Sequence, residues 1–589
     1  MSILAGIVSR RPGLALSEPL CDRLKQVVSR NSSDKVTTFR DPRAAFFKVD
    51  LGAFGEAGFN IDKSGSVAML AGEPLLELGV ANSGRAHDLE LMQDAFTNQQ
   101  WDVFAKSQGT YCAAHYDPRT GVVTLIADRL ALRPIYYWAG PDYVVFASAL
   151  RILESLPEVP KRMDLVAVTE ITTLGCTVGS RTPYCSVKAI KAGEVLQFAP
   201  DEVRCLRYWR WDSIQPSSLS REAQLERSHN QFLKAVQRRL RNDKEVLATL
   251  SGGLDSRSVV SALRSQGVKV NTLNFYRVLE SQDQVFAADF AKAAGTNHRA
   301  VPLPPWNAPV PFEQRVTNAW QSTRSTQEAG PERPQLLWMG DGGSVGVGHV
   351  FVEDNVVAAL REGQVEKAIH AYRPRMVSRL LRDGSSSSVS ELMVEDIRAE
   401  LEDLHYEDPA RAFHMFLMLY EQRYDLSQHF ENLDLHRLEF QLPFFDFDFL
   451  AGIVSAPVDW CLGHGFYMDW LALFPASATA VPWQAYPTHR PCPLPIPEGL
   501  SYQWGKTKST VEIEAKRREL LNTADQVLGA GNFPDPILKK YFLQVTTWLY
   551  KAGLRDGGST IKAAQTYHRY WAACQGEFAV GPASSWNCA

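Results

Sequence analysis

One stretch constrains the chain more than any other: Val246-Leu247-Ala248-Thr249-Leu250-Ser251-Gly252-Gly253-Leu254-Asp255-Ser256. The run Val246 to Leu250 reads as a buried parallel strand. Ser251-Gly252-Gly253 ends it, and Asp255-Ser256 opens a helical pattern through Val259, Val260 and Leu263. A strand that turns through glycines into a helix N-terminus makes an anion site. The glycines let backbone N–H groups approach a phosphate, and the helix dipole favours negative charge there. Ser251 and Ser256 add hydroxyl donors. A carboxylate does not favour a bare phosphate, so Asp255 is expected to act through Mg²⁺ bridging phosphates. No Gly-Lys-Ser/Thr follows the glycines, which argues against a Walker loop.

The 589 residues are enough for two to four domains with large cores. A net charge of −4 gives no electrostatic case for a nucleic acid or an anionic membrane as partner. No apolar run reaches the length of a membrane span. The start, Met1 to Val8, is expected to be a buried strand rather than a signal peptide. Nine cysteines, an odd number without a Cys-x-x-Cys pair, argue against a disulfide framework or a zinc site and fit a reducing cytoplasm. No structural transition metal is expected.

The first two hundred residues are mostly short β-type runs separated by turns, which suggests sheet-on-sheet packing. Past Tyr208-Trp209-Arg210-Trp211 the character changes. A helical pattern from about 220 to 241 precedes the glycine turn. A second strand (268–276), a helix (284–294) and a third strand (299–303) follow, an alternation that argues a parallel α/β sheet. Residues 382–390, Arg382-Asp383-Gly384-Ser385-Ser386-Ser387-Ser388-Val389-Ser390, read as an exposed loop. The remainder is mainly helical except 482–499, where six prolines preclude a regular helix.

Residues 251–256 resemble the Ser-Gly-Gly-x-Asp-Ser loop of N-type ATP pyrophosphatases, which cleave ATP to AMP and pyrophosphate. Asp128-Arg129-Leu130-Ala131-Leu132-Arg133-Pro134-Ile135-Tyr136-Tyr137, Gly340-Asp341-Gly342-Gly343-Ser344 and Arg437-Leu438-Glu439-Phe440-Gln441-Leu442-Pro443-Phe444-Phe445-Asp446 follow the order of motifs in the asparagine synthetase B family. The chain resembles that family over nearly its whole length. The resemblance implies a degenerate class II glutamine amidotransferase-like domain over 1–210, a β-rich sandwich of the N-terminal nucleophile type. It implies a parallel-sheet α/β ATP-pyrophosphatase domain with a helical C-terminal part over 211–589.

Two departures bear on activity. Family glutaminases begin Met-Cys-Gly-Ile, whereas Ser2 and Ile3 stand here, and an alkoxide forms far less readily than a thiolate at neutral pH. Where the family has Asn-Gly-Glu to bind glutamine, this chain has Ala71-Gly72-Glu73. The expectation is a glutaminase fold without glutaminase activity. Branches of the family that lack the cysteine include β-lactam synthetases and lasso-peptide macrocyclases, which adenylate a carboxylate and let an amine of the same molecule attack it.

The resemblance also implies residue roles. ATP would use Leu250, Ser251, Gly252, Gly253, Asp255 and Ser256 for its phosphates, the strand near Asn274 and Phe275 for adenine, and Gly340 for the ribose or α-phosphate. Asp255 would hold Mg²⁺, with Ser344 at the place of the family's second acid and a weaker ligand. Asp341 is a candidate for orienting or deprotonating the amine, or a turn cap. Glu421 or Glu431 is the candidate partner carboxylate, and Lys506, with Lys508 in reserve, the transition-state cation. The segment 482–493 is either an acceptor-pocket wall or a rigid surface loop. The leading expectation is an AMP-forming amide ligase, acting on a small-molecule or peptide substrate that carries a carboxylate and an amine. Ammonia-dependent amidation of a small carboxylate and a degenerate nucleotide-binding scaffold are the alternatives. A homodimer or a pathway partner protein stays open.

Overall fold

The computed structural model describes residues 2–76, 84–200, 202–276, 279–303, 312–324, 331, 333–373, 379–502 and 510–582. Strand Ser2–Ser9 is buried along its whole length. It sits inside a six-stranded antiparallel sheet in the order Lys188–Ala189, Tyr136–Ala139, Tyr143–Ala147, Ser2–Ser9, Ala44–Asp50, Val36–Arg40. A second six-stranded antiparallel sheet runs Val203–Arg207, Glu194–Phe198, Val122–Ala127, Tyr111–Asp117, Val67–Gly72, Phe59–Ile61. Leu4, Val8, Ala44 and Phe46 of the first pack on Val67, Met69, Cys112, Ala114 and Leu125 of the second, so alternate residues of both sheets fill one core.

The Asp128–Tyr137 motif is a structural joint rather than a source of chemistry. Buried Asp128 accepts backbone N–H groups of Tyr111 (3.0 Å) and Leu130 (2.7 Å). The Arg129 guanidinium lies 4.6 Å from the Trp209 ring and 4.1 Å from that of Phe447, which ties the sandwich to the second half of the chain.

That half is built on a five-stranded, wholly parallel sheet in the order Asn297–Pro302, Lys269–Tyr276, Glu245–Thr249, Leu336–Trp338, Glu439–Gln441. Helices Asp255–Ser265 and Gln282–Ala294 are its crossovers. Helices Thr510–Gly529, Lys540–Ala552 and Gly558–Ala573 pack on one another near the end of the chain. The last strand, Phe578–Ala579, returns to pair in parallel with Met163–Asp164. No helix among the described residues is long and apolar enough to cross a membrane.

One expectation is corrected. Residues 382–390 are not a loop: a helix spans Asp383–Asp403. Val389, Met393, Ile397 and Leu401 recur every four residues and are buried, so tertiary packing of that stripe overrides the turn preference of the serines. Ser387 and Ser388 bond back to the carbonyls of Asp383 and Gly384.

Candidate active site

The strand–turn–helix read from the sequence is present. Strand Glu245–Thr249 leads through the turn to helix Asp255–Ser265. Ser256 Oγ accepts Ser251 N–H at 2.9 Å and lies 3.0 Å from Ser251 Oγ, and Gly253 N–H reaches Ser251 Oγ at 3.3 Å. The two hydroxyls therefore brace the turn from within.

Asp283, which sequence reasoning passed over, completes the brace. Its Oδ1 accepts Gly252 N–H at 2.9 Å and its Oδ2 accepts Asn274 Nδ2 at 2.8 Å. Asn274 also donates to the Leu250 carbonyl at 3.0 Å. Asn274 is thus a buried strut between turn and strand, and Phe275 is half-buried with the Arg315 cation 5.5 Å from its ring. The one available signal for Asp283 was its place in the first turn of a helix whose cap is Ser281.

The second loop folds onto the first. A Cβ on Gly340 would lie 2.4 Å from the Ser256 backbone nitrogen, and one on Gly343 would lie 2.7 Å from the Asp255 carboxyl carbon. Only glycine permits that approach. Ser344 is delivered beside Asp255, whose Oδ2 accepts Ser344 N–H at 3.1 Å and Ser344 O–H at 2.6 Å. Tyr467, on helix Gly465–Leu471, donates its hydroxyl to Asp255 Oδ1 at 2.7 Å. Burial pushes the Asp255 carboxyl up to about 6 even though Ser344 and Tyr467 favour its charged form.

The donor set tests the expected metal. Among the described residues no group of three or more His, Cys, Asp or Glu side chains forms a metal cluster. Asp255 is the single carboxylate of this pair, and both its oxygens already accept protein donors. That fits a Mg²⁺ carried by substrate phosphates and water with one protein carboxylate, not a cage held by the protein.

Asp341 is partly buried, and burial raises its carboxyl while His429 opposes the shift. Glu421 lies on a π-helical turn, Leu417–Gln422, and is likewise raised by burial. Tyr486 connects the cluster: burial, then the Asp255 carboxylate, and more weakly Glu421, push its hydroxyl up to about 12. Glu431 does not join the site. It caps the backbone N–H groups of Leu150 (2.5 Å) and Arg151 (3.3 Å) in the N-terminal sandwich. Lys506 and Lys508 lie outside the described residues.

The proline-rich segment packs back onto the glycine turn. Gln484 N–H donates to the Gly252 carbonyl at 2.9 Å, and buried Arg257 holds the carbonyls of Val481 and Pro482, each at 2.7 Å. This places Tyr486 beside Ser344, so the segment packs against the glycine loops instead of standing free of them.

In the sandwich, Ser2 is buried and fully engaged. Its Oγ accepts Arg85 Nη2 at 2.7 Å and its N–H donates to Glu439 Oε1 at 3.0 Å. Arg133 pairs with the other Glu439 oxygen, and Arg85 with Asp50 at 2.7 Å. Burial alone would raise the Glu439 carboxyl, but Arg133 and Arg85 hold it below the usual range. Glu73 does not face Ser2; it bonds Arg241 at 2.8 Å and Gln441 at 3.1 Å. Glu439 and Gln441 are alternate residues of one edge strand, so the α/β sheet itself sends both side chains into the sandwich.

Two family profiles match the chain: a glutamine amidotransferase domain over residues 77–209 and asparagine synthase over residues 228–317. The chain is asparagine synthetase-like. Glutamine-hydrolysing asparagine synthetase 3 of Bacillus subtilis is 28% identical over 181 residues, 30% of this chain and 29% of that protein. A putative glutamine-hydrolysing asparagine synthetase 2 of Methanocaldococcus jannaschii is 28% identical over 182 residues, 30% of this chain and 35% of that protein. Amidase chyE of Penicillium rubens is 23% identical over 222 residues, 36% of this chain and 32% of that protein. The chain thus spans about a third of the length of each of these curated relatives. In this asparagine synthetase-like chain the second profile begins in helix Arg221–Leu240 and takes in the whole glycine turn.

Proposed function

We propose that this asparagine synthetase-like chain is an ATP-dependent, AMP-forming carbon–nitrogen ligase whose N-terminal domain does not hydrolyse glutamine. The observation that carries the ligase is the turn Ser251–Ser256 at a helix N-terminus, braced by Asp283 and closed from above by Gly340 and Ser344. In this reading the helix N-terminus favours the phosphates, and Asp255 would be the single carboxylate for phosphate-borne Mg²⁺, which would offset charge on the leaving pyrophosphate. In this reading Asp341, which raises the Asp255 carboxyl, and Tyr486, which Asp255 and Glu421 both influence, orient the amine. The carboxylate and amine belong to a small molecule or peptide, one intramolecular coupling of the lasso-peptide or β-lactam kind among the options. Free ammonia is the other amine source.

Absence of glutaminase is supported by Ser2. A free amine at Ser2 would ion-pair with Glu439 and stay protonated, whereas the amine of an N-terminal nucleophile must be neutral to take a proton. The hydroxyl is already an acceptor for Arg85. The unpaired cysteines among the described residues fit a cytoplasmic protein.

A second reading, a nucleotide-binding scaffold without catalysis, is favoured by the Ser344–Asp255 hydrogen bond, which satisfies the carboxylate without metal. ATP–pyrophosphate exchange with Mg²⁺ over a panel of aspartate, β-amino acids and peptides separates the two. Exchange with one class of acid, lost in Asp255→Ala, supports the ligase. ATP binding without exchange for any acid, even after Ser344→Asp, supports the scaffold.

A further inference from the structure

At the junction of the sandwich with helix Arg423–Phe430 lies a cavity of about 250 Å³ whose lining shares no residue with the Asp255 cluster. Five arginines reach it. Arg30 and Arg151 are spent on Asp434 at 2.6 and 3.2 Å, and Arg181 on Asp164 (2.6 Å) and Asp396 (2.8 Å). Arg569 stands at the rim, 65% exposed and 3.8 Å from Glu154. Arg423 differs from all of these. It is only 8% exposed, lines the cavity, and its guanidinium makes no hydrogen bond or ion pair among the described residues.

A buried cation without a counter-charge is costly, and proteins retain one where a ligand completes it. The two carboxylates in the wall do not serve Arg423. Glu431 accepts the Leu150 and Arg151 N–H groups, and Glu154 accepts the Tyr184 hydroxyl at 3.0 Å. Burial also pushes Glu431 up to about 7, which leaves the cavity more positive still. The guanidinium fork offers paired N–H donors matched to two oxygens of a carboxylate or phosphate. Tyr136, Tyr424 and Tyr570 supply ring surface around it. The volume lies below the range of about 300–1,000 Å³ typical of drug-sized ligands and is too small for a nucleotide.

We infer that this cavity is a second ligand site, in which buried, unpaired Arg423 receives a small oxyanion, a carboxylate or phosphate group, between the two domains. The ligand would bridge elements of both halves, since Tyr136 belongs to the sandwich and Arg423 follows Glu421 by two residues on the synthetase side.

Titration calorimetry on the full chain with inorganic phosphate and with benzoate tests this. Arg423→Gln should weaken binding of at least one probe tenfold or more, and Arg423→Lys several-fold, because a point charge replaces a fork. Ser251→Ala controls for phosphate at the glycine turn and should leave the Arg423-dependent isotherm unchanged. Phosphate alone or benzoate alone would assign the oxyanion. If neither probe binds the wild type, or Arg423→Gln binds as the wild type does, the inference is overturned. Should Arg423→Gln not fold, Ser427→Met, which fills the same cavity, serves instead; unchanged binding in that variant overturns it equally.

Discussion

Ser344 donates its hydroxyl hydrogen to Asp255 across 2.6 Å, so the serine of the Gly340–Ser344 loop is the hydrogen-bond partner of the carboxylate at the start of the helix. Two carboxylates at that separation would repel unless they shared a proton or held a cation between them. Ser344→Asp should therefore lower the melting temperature in EDTA and recover it with Mg²⁺, while tightening Mg²⁺ binding. A variant as stable as the wild type in EDTA, with unchanged Mg²⁺ affinity, would show that position 344 does not face the metal seat.

Asp255 gives a pH dependence with opposite signs for function and stability. Its folded-state value of about 6 is above that of an exposed aspartate, so between roughly 4 and 6 the native state binds the proton more tightly than the unfolded chain. Its contribution to stability is present on the acid side and is lost as pH rises through about 6. Mg²⁺–ATP binding needs the carboxylate and should rise over the same interval. Asp255→Asn should abolish that rise and melt higher than the wild type at pH 8. Binding that is flat with pH in the wild type would remove Asp255 from the nucleotide site.

Ser2→Cys should not release ammonia from glutamine. The change supplies a better nucleophile but leaves Arg85 on the side chain and Glu439 on the backbone N–H. A glutaminase assay decides it, and appreciable turnover would mean that this network opens readily.

Glu439→Ala should destabilise the fold by about 3–5 kcal/mol, because it strands buried Arg133 without its partner. Glu439→Gln should cost less, since it keeps the shape and one acceptor. Denaturant unfolding of both variants checks the order; equal, small losses would show the pair to be solvated.

Asp283→Ala frees Gly252 N–H and one end of Asn274 together. ATP affinity should fall about tenfold or more, since two braces of the turn are lost at roughly 1 kcal/mol or more each. Asp283→Asn should retain much of it. Titration with ATP distinguishes them, and full affinity in Asp283→Ala would mean the turn is rigid without this brace.

Much of the architecture was legible in local pattern. Three of the five parallel strands and their crossover helices lie within a few residues of the periodicity that announced them, because buried strands and amphipathic helices leave their period in the sequence, whereas the three-residue strands Leu336–Trp338 and Glu439–Gln441 are too short to show one. The helix Asp383–Asp403 was hidden for the converse reason. Its serines signal a turn locally, and the stripe of Val389 to Leu401 matters only against the surface it covers.

Within the site, the glycine turn, Asp255 and the Gly340–Ser344 loop could be named from sequence because backbone approach demands glycine at particular places. Asp283 and Tyr467 could not, being brought from 28 and 212 positions beyond Asp255 by the fold, and Tyr486 could be named only as part of the 482–493 segment. The sequence by itself determined the glycine turn between strand and helix and the serine at position 2. The tertiary structure alone decided that Ser344 satisfies Asp255, that Glu439 reaches Ser2 from the other domain, and that Arg423 has no counter-charge among the described residues. Hydrogen bonds and ion pairs depend on distance in space, and a chain records only the order in which their partners were made.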